Sequence, residues 1–505
     1  MTIVSYAPGG FHGHIVTVEV DCRTGLPGTD IVGLPGSEVR EARDRVRVAI
    51  RRSGFVYPVC RILVNLSPAD IPKSGNGFDL AIAVAILVSS GQLPEPESPT
   101  MVMGELHLDG RVGGVRGVLA AVSEAAAAGV VCSVVPEANL AEGSAVAPGS
   151  VFGVGCLRDI HAALSGKAEP PTAAASENPS CEQTRADGDY ASLRGHAILK
   201  RVIEIAAAGA HNLLVVGPPG AGKTMGVSLM PTILPPLTRD EAVEVTRLRS
   251  LAGEDIPTDG LVRIRPFRAP HHNSTVEGLL GGGRTVAPGE VSLAHKGVLF
   301  LDEALEFGRQ SLQSLREPLE RRRVLLSRAG HRYWFPAEFQ LALASNPCPC
   351  GHLGRSDRRC MCGLTDVDRY WKRLGAPLLD RIELRLFVKG GALGDLPGTD
   401  ASSQMRYRVE RAIAAQESRR VGNEAVRNAR LSPESVSRTC AMTKEASHGL
   451  AVASSRIGLS ARAWMGVTKV ARTIADLDDE ATICEGHVYE AVQHRRRGED
   501  LRLWE

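Results

Sequence analysis

The chain is poor in aromatic residues: 10 Phe, 7 Tyr and 4 Trp make 4% of its 505 positions. Its cores must therefore be built mainly from Val, Leu, Ile and Ala. It also lacks any apolar run near the ~20 residues that cross a bilayer. The first residues, "MTIVSYAPGGFHGH", hold no charged segment followed by an apolar one, so no export signal is expected. Both absences point to a cytoplasmic chain with no membrane partner, whose thiols stay reduced. Net charge is nearly absent too, at +2, so any nucleic-acid surface must be local. The length exceeds what one core supports and predicts about two to four domains.

What is present divides the chain. "GKAEPPTAAASENPSCEQTRADGD" is rich in Pro, Ala, Ser and charge and has no apolar period. It predicts a flexible linker over 166–188. Residues 1–165 read as mixed α/β, with "HIVTVEVDC" and "RILVNLS" as strands. "SEVREARDRVRVAIRRSG" and "FDLAIAVAILVSSG" read as helices between and after them. Residues 189–395 form an α/β unit. Beyond "GDLPGTDASS" the segment 396–505 reads as helical to its end. A basic run there, "HRRRG" from His494 to Gly498, is expected to be a solvated helix end.

"NLLVVGPPGAGKT" carries the strongest chemistry. A short apolar strand, Leu213 to Val216, leads into Gly217, Pro218, Pro219, Gly220, Ala221, Gly222, Lys223 and Thr224, which match G-x-x-x-x-G-K-[ST]. Glycines let backbone N–H groups close around phosphates at a helix start. Lys223 is expected on the β- and γ-phosphates of ATP, and the Thr224 hydroxyl on Mg²⁺. A second apolar run, "GVLFLDE", ends in Asp302, expected to hold Mg²⁺ through water, and Glu303, expected to orient or deprotonate the attacking water. A third, "FQLALAS", ends at Asn346, which can position that water. Arg381 in "APLLDRIEL" is the candidate for stabilising transition-state charge.

These parts in this order resemble an AAA+ ATPase. "FRAPHHNSTVEGLLGGG", "PGEVSLAHKGVLFLDE", "LREPLE", "NPCPCG" and "PLLDRIEL" narrow the resemblance to the magnesium-chelatase-like branch, and within it to the ComM/YifB type. The resemblance implies an α/β P-loop core with a helical lid, in a ring-forming ATPase, a hexamer. It implies a DNA helicase that drives branch migration in recombination or in uptake of transforming DNA, alongside recombination proteins. Asn346 matches the first sensor, Arg381 the arginine finger acting on a neighbour, and Arg462 in "LSARAW" the second sensor. Glu338, where arginine is usual, departs from the pattern. A metal-chelatase subunit and a protein-remodelling ATPase are the rival readings.

Two further resemblances bear on the first domain. "SGNGFDLAIAVAIL" and "GELHLDGRVGGVRGVLAAV" are similar to the proteolytic domain of Lon. Its serine falls on Gly77 and its lysine near Leu119, neither of which can serve. Ser74 and Lys73 are off the motif. The expectation is a Lon-like α+β fold without peptidase chemistry.

Two loops are candidates for DNA contact. "ERRRVLLSRAGHRYWFP" reads as a hairpin with Arg328, His331 and Arg332 at its tip for phosphates, and Tyr333 and Trp334 for bases. "EGLLGGGRT" adds a glycine loop with Arg284. The adjacent His271 and His272, read as lying on one strand, would point to opposite faces and chelate poorly.

Four of the 11 cysteines, Cys348, Cys350, Cys360 and Cys362, lie in two C-x-C pairs directly after Asn346. Four thiolates suit structural Zn²⁺. The other seven, Cys22, Cys60, Cys132, Cys156, Cys181, Cys440 and Cys484, are scattered, and most read as small core residues.

Overall fold

The structure, a computed structural model, describes residues 3–165, 188–283, 285–328, 330–355, 357–388, 400–422 and 427–496. The expected linker up to residue 187, Arg284 and Cys181 lie outside the described residues. None of the described helices is long and apolar enough to cross a membrane.

The chain is mixed α/β. Its first part holds a seven-stranded sheet in the order Gly28–Val32, Arg61–Ser67, His14–Arg23, Ile3–Ala7, Thr100–Val102, Cys132–Pro136, Val151–Val154. Alternation sets its register: Val16, Val18 and Val20 of one strand turn inward while their neighbours do not. The helix Phe78–Ser89 has no polar stripe, and every residue from Phe78 to Leu87 is buried. It is the apolar centre of this layer.

The second sheet is parallel throughout, in the order Phe267–Arg268, Val298–Leu301, Gln340–Ser345, Leu213–Val216, Leu384–Phe387. Its strands are near-continuous apolar runs because both faces are covered. Leu213 and Val215 face one core, shared with the helices Ala197–Gly209, Ser402–Ser418 and Ala461–Leu477. Leu214 and Val216 face another, lined by Leu305, Leu312, Cys348 and Trp371. Each such fully buried side chain contributes ~1.5–3 kcal/mol from area alone. The C-terminal helices thus share a core with the sheet.

The two halves dock through the helix Arg239–Ala252. Its Arg247 pairs with Glu124 and lies over the Phe11 ring at 4.7 Å. The Gly117 N–H donates to Ser250 O at 3.1 Å.

Two expectations change. His494 and Arg495 are buried, not solvated: Arg495 donates to Ile382 O at 2.8 Å and to Asp380. A terminal helix that covers the sheet's edge needs these donors for backbone carbonyls left without a partner. His271 and His272 lie in a turn beyond the strand Phe267–Arg268, so the strand argument does not apply. Of the scattered cysteines in the described residues, Cys440 is buried and Cys22, Cys60 and Cys132 pack against a core, as expected, but Cys484 is exposed.

Candidate functional site

The loop Gly217–Gly222 leaves the C-terminal end of an inner strand, where parallel sheets open a crevice. Gly220 and Gly222 sit at φ 78° and 71°, the left-handed region that glycine enters freely. The loop curls around its own lysine. Lys223 Nζ donates to Gly217 O at 2.6 Å, to Pro218 O at 2.9 Å and to Asn346 Oδ1 at 3.3 Å. Burial pushes the Lys223 ammonium below its ordinary range, while Asp302 and Glu303 pull it back.

The neighbouring strand ends bring the carboxylates. Thr224 Oγ1 donates to Asp302 Oδ2 at 2.9 Å. Mg²⁺ takes six oxygens at about 2.1 Å, so adjacent corners of its shell lie about 3.0 Å apart. The Thr224 and Asp302 oxygens therefore fit two adjacent positions. Glu303 is exposed and held at φ 50°. That conformation strains a non-glycine residue and turns its carboxylate out of the sheet end. Its Oε2 lies 3.7 Å from His272 Nδ1, and the His272 ring stacks on His271 at 4.1 Å. Sequence reasoning weighed His272 only as a metal ligand and gave it no part here, although "APHHN" follows the strand next to the one that leads into Asp302.

The two candidate arginines are elsewhere. Arg381 follows the short helix Ala376–Leu379, and its carbonyl accepts from Asn212 Nδ2 at 2.8 Å. Asn212 precedes the strand whose other end carries the phosphate loop. That stretch covers roughly 16 Å at about 3.3 Å per residue. Arg381 donates to Glu320, and Arg462, at the start of the helix Ala461–Leu477, donates to the same Glu320 Oε1 at 2.6 Å. Glu320 was quoted in "LREPLE" without a role. The three residues border a cleft of about 380 Å³ that also holds Arg322, Arg430, Lys469 and Arg495 against Asp380 and Glu383. Six cationic side chains face three carboxylates there.

The hairpin forms from Arg323–Arg328 and His331–Pro336, with Arg328 opposite His331. Arg328 and Arg332 are exposed. Glu277 joins it to the glycine loop: its Oε1 accepts from Gly283 N at 2.6 Å and lies 3.9 Å from Arg328. Trp334 stays 37% exposed, but one side of it is taken. Its ring packs 5.5 Å from Phe11, and its carbonyl accepts from Phe11 N at 2.9 Å. That face of the hairpin is occupied by the first half of the chain.

Glu338 also has an internal role. Burial alone would raise its carboxyl, but Lys296, at 2.7 Å, with Arg430 and Arg322, holds it down at about 2. In the first half, Gly77 precedes the buried helix and Leu119 is fully buried. Neither offers a nucleophile or a base.

Comparison with known proteins agrees with this layout. Residues 189–395 match the family described as magnesium chelatase, subunit ChlI. Residues 18–139 match subunit ChlI of Mg-chelatase, and residues 399–495 match its C-terminal family. The chain is 40% identical to the protein YifB of Salmonella typhimurium over 489 residues, covering 96% of this chain and 95% of the relative. It is 39% identical to the competence protein ComM of Haemophilus influenzae over 500 residues, covering 98% and 97%. It is 40% identical to the Mycobacterium bovis protein Mb2921c over 502 residues, covering 98% of each. The chain belongs to the ComM/YifB family of magnesium-chelatase-like AAA+ proteins.

Proposed function

We propose that the chain is an ATP-driven DNA motor: a ring of identical protomers, a hexamer, that hydrolyses ATP between neighbours. The observation that carries the ATP half is a separation. Lys223, Thr224, Asp302, Glu303 and Asn346 gather at one end of the parallel sheet. Arg381 and Arg462 gather at the other, too far to serve the same pocket. A ring places one protomer's arginine edge against the next protomer's phosphate loop.

In that arrangement Lys223 exchanges its two loop carbonyls for phosphate oxygens. The loop N–H groups cradle the phosphates at the start of the helix Lys223–Ser228. Mg²⁺, when bound to Thr224 and Asp302, neutralises phosphate charge. Glu303, facing outward, orients and deprotonates the attacking water, and His272 limits where its carboxylate swings. Asn346 holds the water's second side. Arg381 and Arg462 from the neighbour meet the charge that develops on the γ-phosphoryl group.

The DNA half rests on the two loops joined through Glu277, which present Arg328, His331 and Arg332 on one projection. One relative is a competence protein. We extend that role to this chain as branch migration during recombination or uptake of transforming DNA, alongside recombination proteins. Residues 1–165 then serve as a Lon-like collar without peptidase chemistry, and the C-terminal helices as the lid. The matched family descriptions favour a second reading, a chelatase-like or protein-remodelling ATPase. An ATPase assay with linear, forked and four-way-junction DNA separates the two. Stimulation by branched DNA supports the motor; turnover indifferent to every DNA rejects it.

A further inference from the structure

The cysteine segment touches the phosphate loop. Pro347 and Pro349 flank Cys348 and restrict the backbone there. Gly351 then turns at φ 74°, and a Cβ on it would meet Pro219 Cδ at 2.9 Å and Asn346 Cγ at 3.9 Å. The turn Pro347–Gly351 therefore lies between the first sensor candidate and the loop that would hold phosphate. Trp371 Nε1 clamps it from behind by donating to Pro347 O at 3.1 Å.

The four thiols converge between this turn and the irregular segment that returns over it. Cys348 Sγ lies 3.4 Å from Cys350 Sγ and 3.6 Å from Cys360 Sγ, and the latter two are 3.6 Å apart. All four Sγ atoms, that of Cys362 included, fall within 4.8 Å of one another. A disulfide needs about 2.05 Å, so none is formed. A tetrahedral Zn²⁺ with Zn–S of about 2.3 Å places its sulfurs about 3.8 Å apart. Cys348 is fully buried, and its Sγ accepts from the Leu353 N–H at 3.4 Å. A backbone donor aimed at sulfur is the support that a ligating thiolate uses. Packing alone explains this poorly, since four small polar side chains meet where Leu or Val would fill the space better.

We propose that Cys348, Cys350, Cys360 and Cys362 bind one Zn²⁺ as four thiolates, and that this site braces the turn carrying Asn346 against the phosphate loop. Each thiol gives its proton to solvent as the metal enters. The zinc ties the segment of Cys360 and Cys362 directly to the turn, where Trp371 already holds Pro347 from behind. Without it, that segment rests on the turn through thiol and backbone contacts alone, and Gly351 lifts from Pro219 more readily. The bracing half rests on the ATP-site reading for its importance to catalysis; the metal half does not.

The test uses the full-length protein purified without chelator. Elemental analysis should find about one zinc per chain, and the Cys350→Ser/Cys362→Ser variant about a tenth of that or less. The wild-type chain produced with Co²⁺ in place of zinc should show the visible and near-ultraviolet bands of a tetrahedral cobalt–thiolate centre, which needs no variant to fold. Hydrogen exchange then reads the brace without any ATPase assay. Removing zinc should speed exchange of the amides in 217–222 and 346–351 by about tenfold or more. A wild-type chain free of zinc and without the cobalt spectrum overturns the site. So does iron in place of zinc, or zinc retained by the double variant. Zinc loss with unchanged exchange at 217–222 overturns the brace.

Discussion

Arg381 and Arg462 donate to the same oxygen, Glu320 Oε1, although they lie on different parts of the chain. Two guanidinium groups at such range repel unless an anion sits between them, and Glu320 is that anion. Glu320 keeps both side chains at one edge of the protomer, ordered before a neighbour arrives. Arg381→Ala is expected to leave nucleotide binding intact and to lower kcat by about 10³. Arg462→Ala should act in the same direction. Mixing Arg381→Ala with Lys223→Ala protomers should restore part of the turnover, because some interfaces then carry an intact loop and an intact arginine. Full activity of Arg381→Ala alone rejects the shared site. Glu320→Ala should reduce kcat with little change in KM, and Glu320→Gln less so.

Lys223 and Glu303 divide binding from chemistry. Lys223 is buried inside its loop and holds two loop carbonyls that phosphate oxygens would replace, beside Asn346. Lys223→Ala should abolish binding of a fluorescent ATP analogue. Glu303 touches none of those groups, so Glu303→Gln should bind ATP normally and retain it, with turnover reduced by about 10² or more. Equal turnover by wild type and Glu303→Gln would refute the assignment of the water-activating carboxylate.

The hairpin offers a prediction that a structural role would not share. Arg328 and Arg332 are exposed, and neither ring of the Phe11–Trp334 contact depends on them, although Arg332 lies two residues from Trp334 on the same strand face. Each phosphate contact on single-stranded DNA contributes about 0.7 to the slope of log K against log salt. Arg328→Ala/Arg332→Ala should therefore lower that slope by about 1.4 and weaken binding at every sequence alike. The melting temperature should stay near that of wild type. Unchanged DNA affinity and slope would remove the hairpin from the interface.

Much of this was legible because the carriers are local. The apolar strands before Gly217, Asp302 and Asn346 can be read directly, since a strand buried on both faces shows as an unbroken apolar run. Gly217 marks the end of the first run, and the polar pair Asp302–Glu303 and the step Asn346–Pro347 end the other two. What stayed hidden depends on contacts between distant segments. Nothing near Glu320 in sequence announces Arg462, 142 residues later. Trp334 looked free for bases because its partner, Phe11, lies in the other half of the chain. The run at His494 looked solvated because charge usually is. Arg495 is buried only because carbonyls at Asp380 and Ile382 await a donor.

His211 gives the pH dependence. It precedes the strand Leu213–Val216, is fully buried, and its Nε2 lies 2.8 Å from Thr473 Oγ1 on the C-terminal helix. Burial pushes its pKa down to about 3, helped by the charges of Lys469 and Arg430. In the unfolded chain it titrates near 6.5. Between those values the unfolded state holds a proton that the folded state refuses, so acid favours unfolding. Stability should be highest above pH ~6.5 and fall below it, with a slope approaching ~1.4 kcal/mol per pH unit from this group. Glu338, held at about 2, acts in the same direction but only once the pH drops below the ordinary carboxylate range. In the window from pH ~6.5 to ~5 the lowered His196 adds to the effect while raised buried carboxyls such as Glu383 and Glu204 oppose it, so the histidine is isolated by comparison with a variant. His211→Gln can keep the bond to Thr473 without titrating. It should melt earlier than wild type at pH 7.5 by about 1–2 kcal/mol of lost packing, yet lose less stability between pH 7 and 5. Parallel stability curves for the two proteins would mean that His211 accepts its proton inside the fold, and that the junction between sheet and C-terminal helices opens to water.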